Sequence, residues 1–320
     1  MLNISENTKF YIVCPAGAQT GGPEALHVLG FELRKLGINA IMNYVMTKEI
    51  NVDQSSSDVV GERFKIFNVP YVFDIQDEED NVYVVPEVFP SLLNKYMHVQ
   101  KVFWWLSVNN YIGGVEAISL TDAVDFDDDS ILHLAQSHYA MELLKIAGVK
   151  RKHFLSDYLR EDFCTQNVDF SGRNRENIIL YNPKKGYETT QKIISAAPEL
   201  NFVSLSDMTP PQLRDLMQKS KIYIDFGHHP GKDRLPREAA LQGNIIITGN
   251  KGAAAFDEDL PILPKYKLDQ SNLDINEVVS LIKTCLQDYD KHIQDFSYYR
   301  QWIKLDKEKF IFNLRQLIGR

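Results

Sequence analysis

Residues 221–256 of this 320-residue chain follow the order strand, loop, helix and strand, and this order constrains the fold more than any other stretch. Residues 222–226 (IYIDF) and 245–248 (IIIT) are short apolar runs, typical of strands that are buried on both faces of a parallel sheet. Between them, Pro236 suits the first turn of a helix and Gly243 suits its end. The pattern predicts a right-handed βαβ unit.

The N-terminal part of the chain repeats this pattern. Residues 9–15 (KFYIVCP) have the composition of a strand, and a glycine-rich turn follows them. Residues 24–36 carry leucines at helical spacing, Gly37 ends the helix, and residues 38–42 return as a strand. We therefore predict an α/β protein with two Rossmann-like βαβ domains.

Length and composition restrict the class of protein further. A chain of 320 residues can form two domains with a core each. The formal net charge of −8 argues against nucleic acid as the main partner. The three cysteines form no C-x-x-C pair, and no apolar run is long enough to span a membrane. We expect a cytoplasmic protein without a signal peptide, and contact with the inner face of the membrane is compatible with this composition.

Cations concentrate where the central βαβ unit passes from strand to helix. Lys232, Arg234 and Arg237 lie beside the predicted helix N-terminus, and Glu238 follows one turn into the helix. Ligands of parallel sheets bind at the carboxyl ends of the strands, and helix N-termini favour anions. The stretch predicts cations for a diphosphate beside a carboxylate for a ribose. The alternative is a charged, solvated start of a helix.

A lysine pair follows another predicted strand. Residues 178–181 are apolar and are followed by Asn182, Pro183, Lys184, Lys185 and Gly186. Two lysines and a glycine between a strand and a helix suit phosphate binding, although lysine pairs are also common on protein surfaces.

Four segments resemble GT-B glycosyltransferases, especially bacterial enzymes encoded with genes for surface polysaccharides such as lipopolysaccharide and capsule. The segments are 20–24 (TGGPE), 103–111 (FWWLSVNNY), 181–186 (YNPKKG) and 230–240 (PGKDRLPREAA). In this resemblance Glu238, followed by Ala239, matches the glutamate that binds the nucleotide ribose in the retaining families. An earlier glutamate of those families corresponds to Pro230 here, so the retaining or inverting outcome stays open.

The resemblance also implies an organisation of domains. It implies an acceptor-side Rossmann-like domain at 1–165, a linker at 166–177 and a nucleotide-sugar domain at 178–295, with the two domains facing across a cleft. A helical segment at 296–320 is expected to cross back to the first domain. Gly21 and Gly22 would then lie near the transferred sugar.

The resulting hypothesis is glycosyl transfer from a nucleotide sugar to a glycan or lipid-linked oligosaccharide. Glu24 and His27 are the candidates for a general base, although Glu24 also suits the helix dipole and His27 also suits packing. We expect neither an essential metal nor a cofactor, because no Asp-x-Asp motif follows a strand and cations can stabilise the leaving group. The predicted donor-binding residues are Gly21, Gly22, Asn182, Lys184, Lys185, His228, Gly231, Lys232, Arg234, Arg237 and Glu238.

Two alternatives to glycosyl transfer stay open. The proline at position 230 is the main support for a non-catalytic subunit that binds a sugar nucleotide or a glycan. A GT-B-shaped epimerase would instead act on the nucleotide sugar itself. The sequence leaves the sugar, the base, the acceptor and the oligomeric state undetermined.

Overall fold

The computed structural model describes residues 2–46, 59–115, 123–164 and 167–320. The chain divides into two compact units. The first unit contains residues 1–157 and 308–320, and the second contains residues 158–307. The domain limits deduced from the sequence stay a prediction.

The first unit is built on a parallel sheet of seven strands in the order β3-β2-β1-β4-β5-β6-β7. Most strand residues are apolar and buried, as expected where helices or loops cover both faces of a parallel sheet. The strands are β1 (Lys9–Pro15), β2 (Asn39–Val45), β3 (Tyr71–Val72), β4 (Val82–Pro86), β5 (Gln100–Trp105), β6 (Leu132–Ala135) and β7 (Lys152–Phe154).

The longest helix of the first unit is α1 (Gly21–Lys35), which connects the parallel neighbours β1 and β2 as predicted. It is followed by α2 (Val108–Val115) and by α3 (His138–Ile146), whose N-terminal Ala140 amide is capped by the Ser137 side chain at 3.1 Å. Helix α1 starts three residues before the predicted position, because Gly21, Gly22 and Pro23 form its first turn.

The second unit contains a parallel sheet of five strands in the order β12-β11-β10-β8-β9. These strands are β8 (Glu176–Tyr181), β9 (Asn201–Ser204), β10 (Ser220–Asp225), β11 (Ile245–Gly249) and β12 (Lys267–Leu268). The helices are α4 (Glu161–Cys164), α5 (Tyr187–Ala196), α6 (Pro210–Lys219), α7 (Arg234–Leu241), α8 (Ile275–Gln287), α9 (Tyr289–His292) and α10 (Ser297–Lys304). The last helix, α11 (Asp306–Leu317), begins in the second unit, and its residues from Glu308 onward belong to the first.

The predicted central βαβ unit is confirmed. Strands β10 and β11 pair in parallel, with Ile222 opposite Ile245, and α7 connects them. Helix α7 is followed by Gly243 at a φ of +90°, a left-handed conformation that glycine adopts without the strain that a Cβ would add. The α/β class is confirmed, with parallel sheets in both units. Among the described helices, none combines the length and the apolarity needed to cross a bilayer.

Candidate functional site

Two loops meet at the carboxyl edge of the second sheet. Strands β8 and β10 are neighbours, so the loops that follow Tyr181 and Asp225 leave the sheet side by side. Gly186, at the end of the first loop, has a φ of +60°, and a Cβ there would lie 2.3 Å from the carbonyl carbon of Phe226 in the second loop. The close approach of the two backbones thus requires glycine at this position.

The lysine pair of the first loop lies next to the start of α7. The Lys185 ammonium is 2.6 Å from Oδ2 of Asp233, the residue that precedes α7. Lys184 is exposed, and its backbone amide donates to the Asn182 side chain at 3.0 Å. The structure therefore brings Lys185 of the 182–186 loop to the N-terminus of α7.

Two of the predicted donor-binding cations are buried within the second unit. The Lys232 ammonium lies 2.6 Å from Oδ1 of Asp306. Arg237 is fully buried, and its guanidinium lies 3.5 Å from Oδ2 of Asp306 and donates to the backbone carbonyls of Lys232 and Asp233. Both charges thus hold the 226–233 loop in shape, whereas direct contact with phosphate requires an accessible position. Their contact with a donor stays a prediction.

The other two charged residues of α7 form a pair one turn apart. The guanidinium of Arg234 lies 3.4 Å from Oε1 of Glu238, and their side chains are 18% and 8% exposed. Arg234 is the first residue of α7, where backbone N–H groups without helical partners favour an anion. The Arg234 side chain is accessible enough to exchange this contact for one with a ligand, whereas Glu238 is buried and its contact with a ribose stays a prediction.

His228 and Gly231 belong to the same loop. His228 is exposed, and its pKa is lowered by partial desolvation of the ring and then by the neighbouring His229 and lysines. Gly231 is buried. The loop therefore presents His228 to solvent and keeps Gly231 inside.

A cluster that we did not predict from the sequence lies beneath the loop. His229 is buried between Asp225 and Asp233, with Nε2 at 3.8 Å and Nδ1 at 3.4 Å from their carboxylates. The Thr248 hydroxyl donates to the carbonyl of Asp225 at 2.7 Å, so it accepts from Nε2–H of His229 at 3.1 Å. The signal was present in the sequence, since the three residues are spaced by four around a βα loop.

The same three side chains are the one group in the described part of the chain that could hold a metal ion. Their ligand atoms all lie within 4.8 Å of one another. An imidazole nitrogen with two carboxylates suits a divalent transition metal. However, the Lys185 ammonium is already bound to the Asp233 carboxylate, and its positive charge opposes a cation at this point.

The two candidate bases lie in α1 of the first unit, and the side chain of each contacts other residues of that unit. Nδ1 and Nε2 of His27 lie 2.7 Å from the Pro23 carbonyl and the Tyr44 hydroxyl. Because the carbonyl can only accept, Nδ1 carries the proton and Nε2 accepts from Tyr44. Burial lowers the pKa of His27 to about 4, which keeps the ring neutral. The buried Glu24 carboxylate lies 3.3 Å from the guanidinium of Arg63.

Gly21 and Gly22 lie in the first turn of α1, directly after the loop that follows β1. A Cβ at Gly22 would meet a single neighbouring atom at 3.9 Å, an ordinary contact. Outside the turn of α1 itself, no described backbone atom lies within 4 Å of this Cβ position. The catalytic role of Glu24 or His27 and the contact of the two glycines with a sugar stay predictions.

Comparison with solved structures defines the class of fold. The two parallel-sheet units make up the GT-B fold, and the structural neighbours are GT-B glycosyltransferases. No protein-family model matches the chain, and no curated protein matches its sequence.

The individual neighbours are distant in sequence. HepE from Anabaena, solved with UDP-glucose, is 11% identical with a TM-score of 0.59, and the match covers 98% of each chain. WaaG, a glycosyltransferase involved in lipopolysaccharide biosynthesis, is 10% identical with a TM-score of 0.60 and the same coverage. A point mutant of TarM from S. aureus, solved with fondaparinux, α-GlcNAc-glycerol and UDP, is 13% identical with a TM-score of 0.57; the match covers 77% of this chain and 57% of TarM. Such identities show a shared fold alone.

Proposed function

We propose that the protein is a metal-independent glycosyltransferase that moves a sugar from a nucleotide-activated donor to a glycan or lipid-linked acceptor during surface-polysaccharide assembly. The observation that carries this proposal is the group of charged residues at the carboxyl edge of the second sheet. Lys185 and Arg234 lie at the N-terminus of α7, the exposed Lys184 precedes Lys185 in the neighbouring loop, and Glu238 lies one turn further along the helix. UDP and UDP-glucose in complexes of TarM and HepE, and the role of WaaG in lipopolysaccharide biosynthesis, support the donor class and the pathway.

The accessible cations give the diphosphate its binding partners. Lys184 is exposed, and Lys185 and Arg234 are each paired with a carboxylate that a phosphate can replace. Together with the α7 N-terminus, they stabilise negative charge as the nucleoside diphosphate leaves. This electrostatic role is what a metal ion supplies in other transferases, so the proposal needs no metal.

Glu238 is assigned to the ribose of the donor. Its carboxylate can accept hydrogen bonds from two hydroxyl groups when Arg234 turns from it towards the diphosphate. Lys232 and Arg237 contribute indirectly, because their bonds within the second unit fix the loop that carries these groups.

The decisive experiment compares nucleotide binding by the wild type, by Glu238→Gln and by a matched control, Glu277→Gln. Glu277 is an exposed glutamate in the first turn of α8, so it tests the loss of a helix carboxylate outside the site. UDP, GDP, ADP and CMP are titrated by calorimetry with EDTA present, and again with Mn²⁺. We expect one nucleotide to bind with EDTA present, and Glu238→Gln to bind it at least tenfold more weakly, because hydrogen bonds to a charged group are worth about 1.5–3 kcal/mol.

Each other outcome of that titration speaks against part of the proposal. Binding that survives Glu238→Gln unchanged would move the ribose away from α7. Binding that needs Mn²⁺ would contradict metal independence and would direct attention to Asp225, His229 and Asp233. Product analysis with the corresponding nucleotide sugar then separates a transferase, which forms a new glycosidic bond, from an epimerase or a binding subunit.

A further inference from the structure

A second concave site lies in the first unit, between α1 and the segment that leads to β3. It is a cavity of about 470 Å³. His27 and Arg34 of α1 line one side, and Phe64, Lys65, Asn68 and Tyr71 line the other. Its volume is within the range of sites that bind small molecules, about 300–1,000 Å³.

The cavity extends along α1 from His27, one of the two candidate bases, to Arg34, and its cationic end lies apart from the glycine-rich loop that the sequence associates with the transferred sugar. Arg34 lies in the last turn of α1, thirteen positions after Gly21 at the start of the helix. At 1.5 Å per residue this places the two ends of α1 about 20 Å apart. The cavity also borders β3, which is the edge strand of the first sheet.

The charge of the cavity favours an anion. Arg34 and Lys65 line it, and its described lining includes no aspartate or glutamate. Burial lowers the pKa of His27 to about 4, so this ring contributes no charge at neutral pH. One amino group of Arg34 donates to the Ala40 carbonyl at 3.3 Å, and the planar guanidinium has five N–H donors in all. Such a fork matches the oxygen atoms of a carboxylate or a phosphate.

Lys65 can leave its ion pair and bind a ligand anion at a small cost in free energy. It is paired with Glu62, and both side chains are well exposed, at 41% and 79%. Exposed ion pairs contribute about 0–1 kcal/mol, so a ligand anion competes for this ammonium without a large penalty.

One aromatic residue of the cavity lining is exposed to solvent. Tyr71 is 40% exposed although it is a large apolar residue. Its ring is fixed by edge contacts with Tyr44 and Phe73, at centroid distances of 5.4 and 5.9 Å. The apolar C–H face of a pyranose stacks against such a ring, and the amide of Asn68 can bind its hydroxyl groups.

We propose that this cavity binds an acidic sugar, a pyranose that carries a carboxylate or a phosphate. Arg34 and Lys65 would bind the anionic group, Tyr71 would stack against the ring and Asn68 would bind hydroxyl groups. The site does not depend on the donor site. It would allow a polysaccharide enzyme or a glycan-binding subunit to bind the acidic group of a glycan at Arg34, about 20 Å from Gly21 at the other end of α1.

The test measures binding of three probes to the full chain by saturation-transfer NMR and calorimetry: glucuronate, glucose 6-phosphate and glucose. All titrations contain a saturating concentration of the nucleotide that binds in the calorimetric comparison above, so that the proposed donor site is occupied. We expect at least one acidic probe to bind tenfold or more tightly than glucose. The comparison of glucuronate with glucose 6-phosphate shows whether the natural anion is a carboxylate or a phosphate.

Matched variants locate this binding. Arg34→Gln is expected to weaken the binding of the acidic probe at least tenfold. Tyr71→Ala is expected to weaken the binding of both charged and neutral probes. Lys35→Gln is the control, because Lys35 is the next residue of α1, is half exposed and pairs with Glu32 instead of lining the cavity. Equal binding of glucose and the acids, no binding of any probe, or unchanged binding by Arg34→Gln and Tyr71→Ala would each overturn the proposal. Failure of all four nucleotides to bind would refute the donor site and leave this test intact.

Discussion

The exchange of Asp306 for asparagine tests whether buried charges hold the loop before α7. The Asp306 side chain is 2% exposed, and its carboxylate contacts Lys232 at 2.6 Å and Arg237 at 3.5 Å, themselves 6% and 0% exposed. Asparagine keeps the shape of the side chain and one acceptor oxygen but removes the negative charge. Two buried cations then lose the carboxylate they share.

The magnitude follows from the burial of all three groups. Removal of one partner from a buried ion pair costs about 3–5 kcal/mol, since the remaining charge stays desolvated. The amide oxygen of asparagine still accepts one hydrogen bond, so we expect the lower end, about 3 kcal/mol. With a urea dependence of about 3 kcal/mol/M, the midpoint of unfolding should fall by about 1 M.

The first assay is urea unfolding of the wild type and the variant. The second assay measures hydrogen exchange in peptides from α7, and peptides from α1 of the first unit serve as an internal reference. Asp257→Asn is the control, because Asp257 is 86% exposed and pairs with Lys267 at 2.7 Å. We expect this control to change stability by less than about 1 kcal/mol. A double variant, Lys232→Met with Asp306→Asn, should recover part of the loss. If Asp306→Asn moves the midpoint no further than Asp257→Asn does, the two cations have sufficient partners elsewhere and the argument is refuted.

Two further predictions concern buried or strained positions. Burial raises the pKa of Glu87 from 4.5 to about 8, so its stabilising contribution is full below pH 4.5 and is lost as the pH rises towards 8. Glu87→Gln should therefore reduce the difference between urea midpoints measured at about pH 5 and pH 8, and an unchanged difference would contradict it. Gly186→Ala should lower stability by more than Gly148→Ala. Both glycines have a positive φ, but a Cβ at Gly148 meets no atom within 4 Å, whereas a Cβ at Gly186 would lie 2.3 Å from the backbone of Phe226. Thermal unfolding of both variants checks this order.

The arrangement of strands and helices could be predicted because its signals are local. Short β-branched runs, a proline near the start of α7 and Gly243 after it lie within one stretch, and β10, α7 and β11 form there. The predicted start of α1 was less accurate. The prediction began the helix at Glu24, whereas the backbone already turns at Gly21, and two consecutive glycines carry a weak helical signal.

The candidate site was predictable only in part, because some of its contacts join residues that lie far apart in the sequence. The loops after β8 and β10 are adjacent, because parallel strands bring their following loops to one edge of the sheet, and Lys185 therefore contacts Asp233. The partner of Lys232 is Asp306, 74 positions further along the chain. Local spacing cannot reveal such a pair, so a buried lysine and an accessible one look alike in the sequence. The Asp225, His229 and Asp233 cluster was local and could have been found.

The ion pairs around α7 connect the two halves of the proposed donor site. Lys185 is bound to Asp233, and Arg234 is bound to Glu238, so each of these accessible cations already has a carboxylate within the second unit. A diphosphate carries more negative charge than either carboxylate and sits on the positive end of the helix dipole, so it can take both cations. Arg234 then turns from Glu238 towards the diphosphate, and the ribose hydroxyl groups can donate to the carboxylate in its place. Under the proposed function, phosphate binding and ribose binding are therefore coupled through the Arg234 side chain, and a nucleoside without phosphates lacks the charge that draws Arg234 away from Glu238.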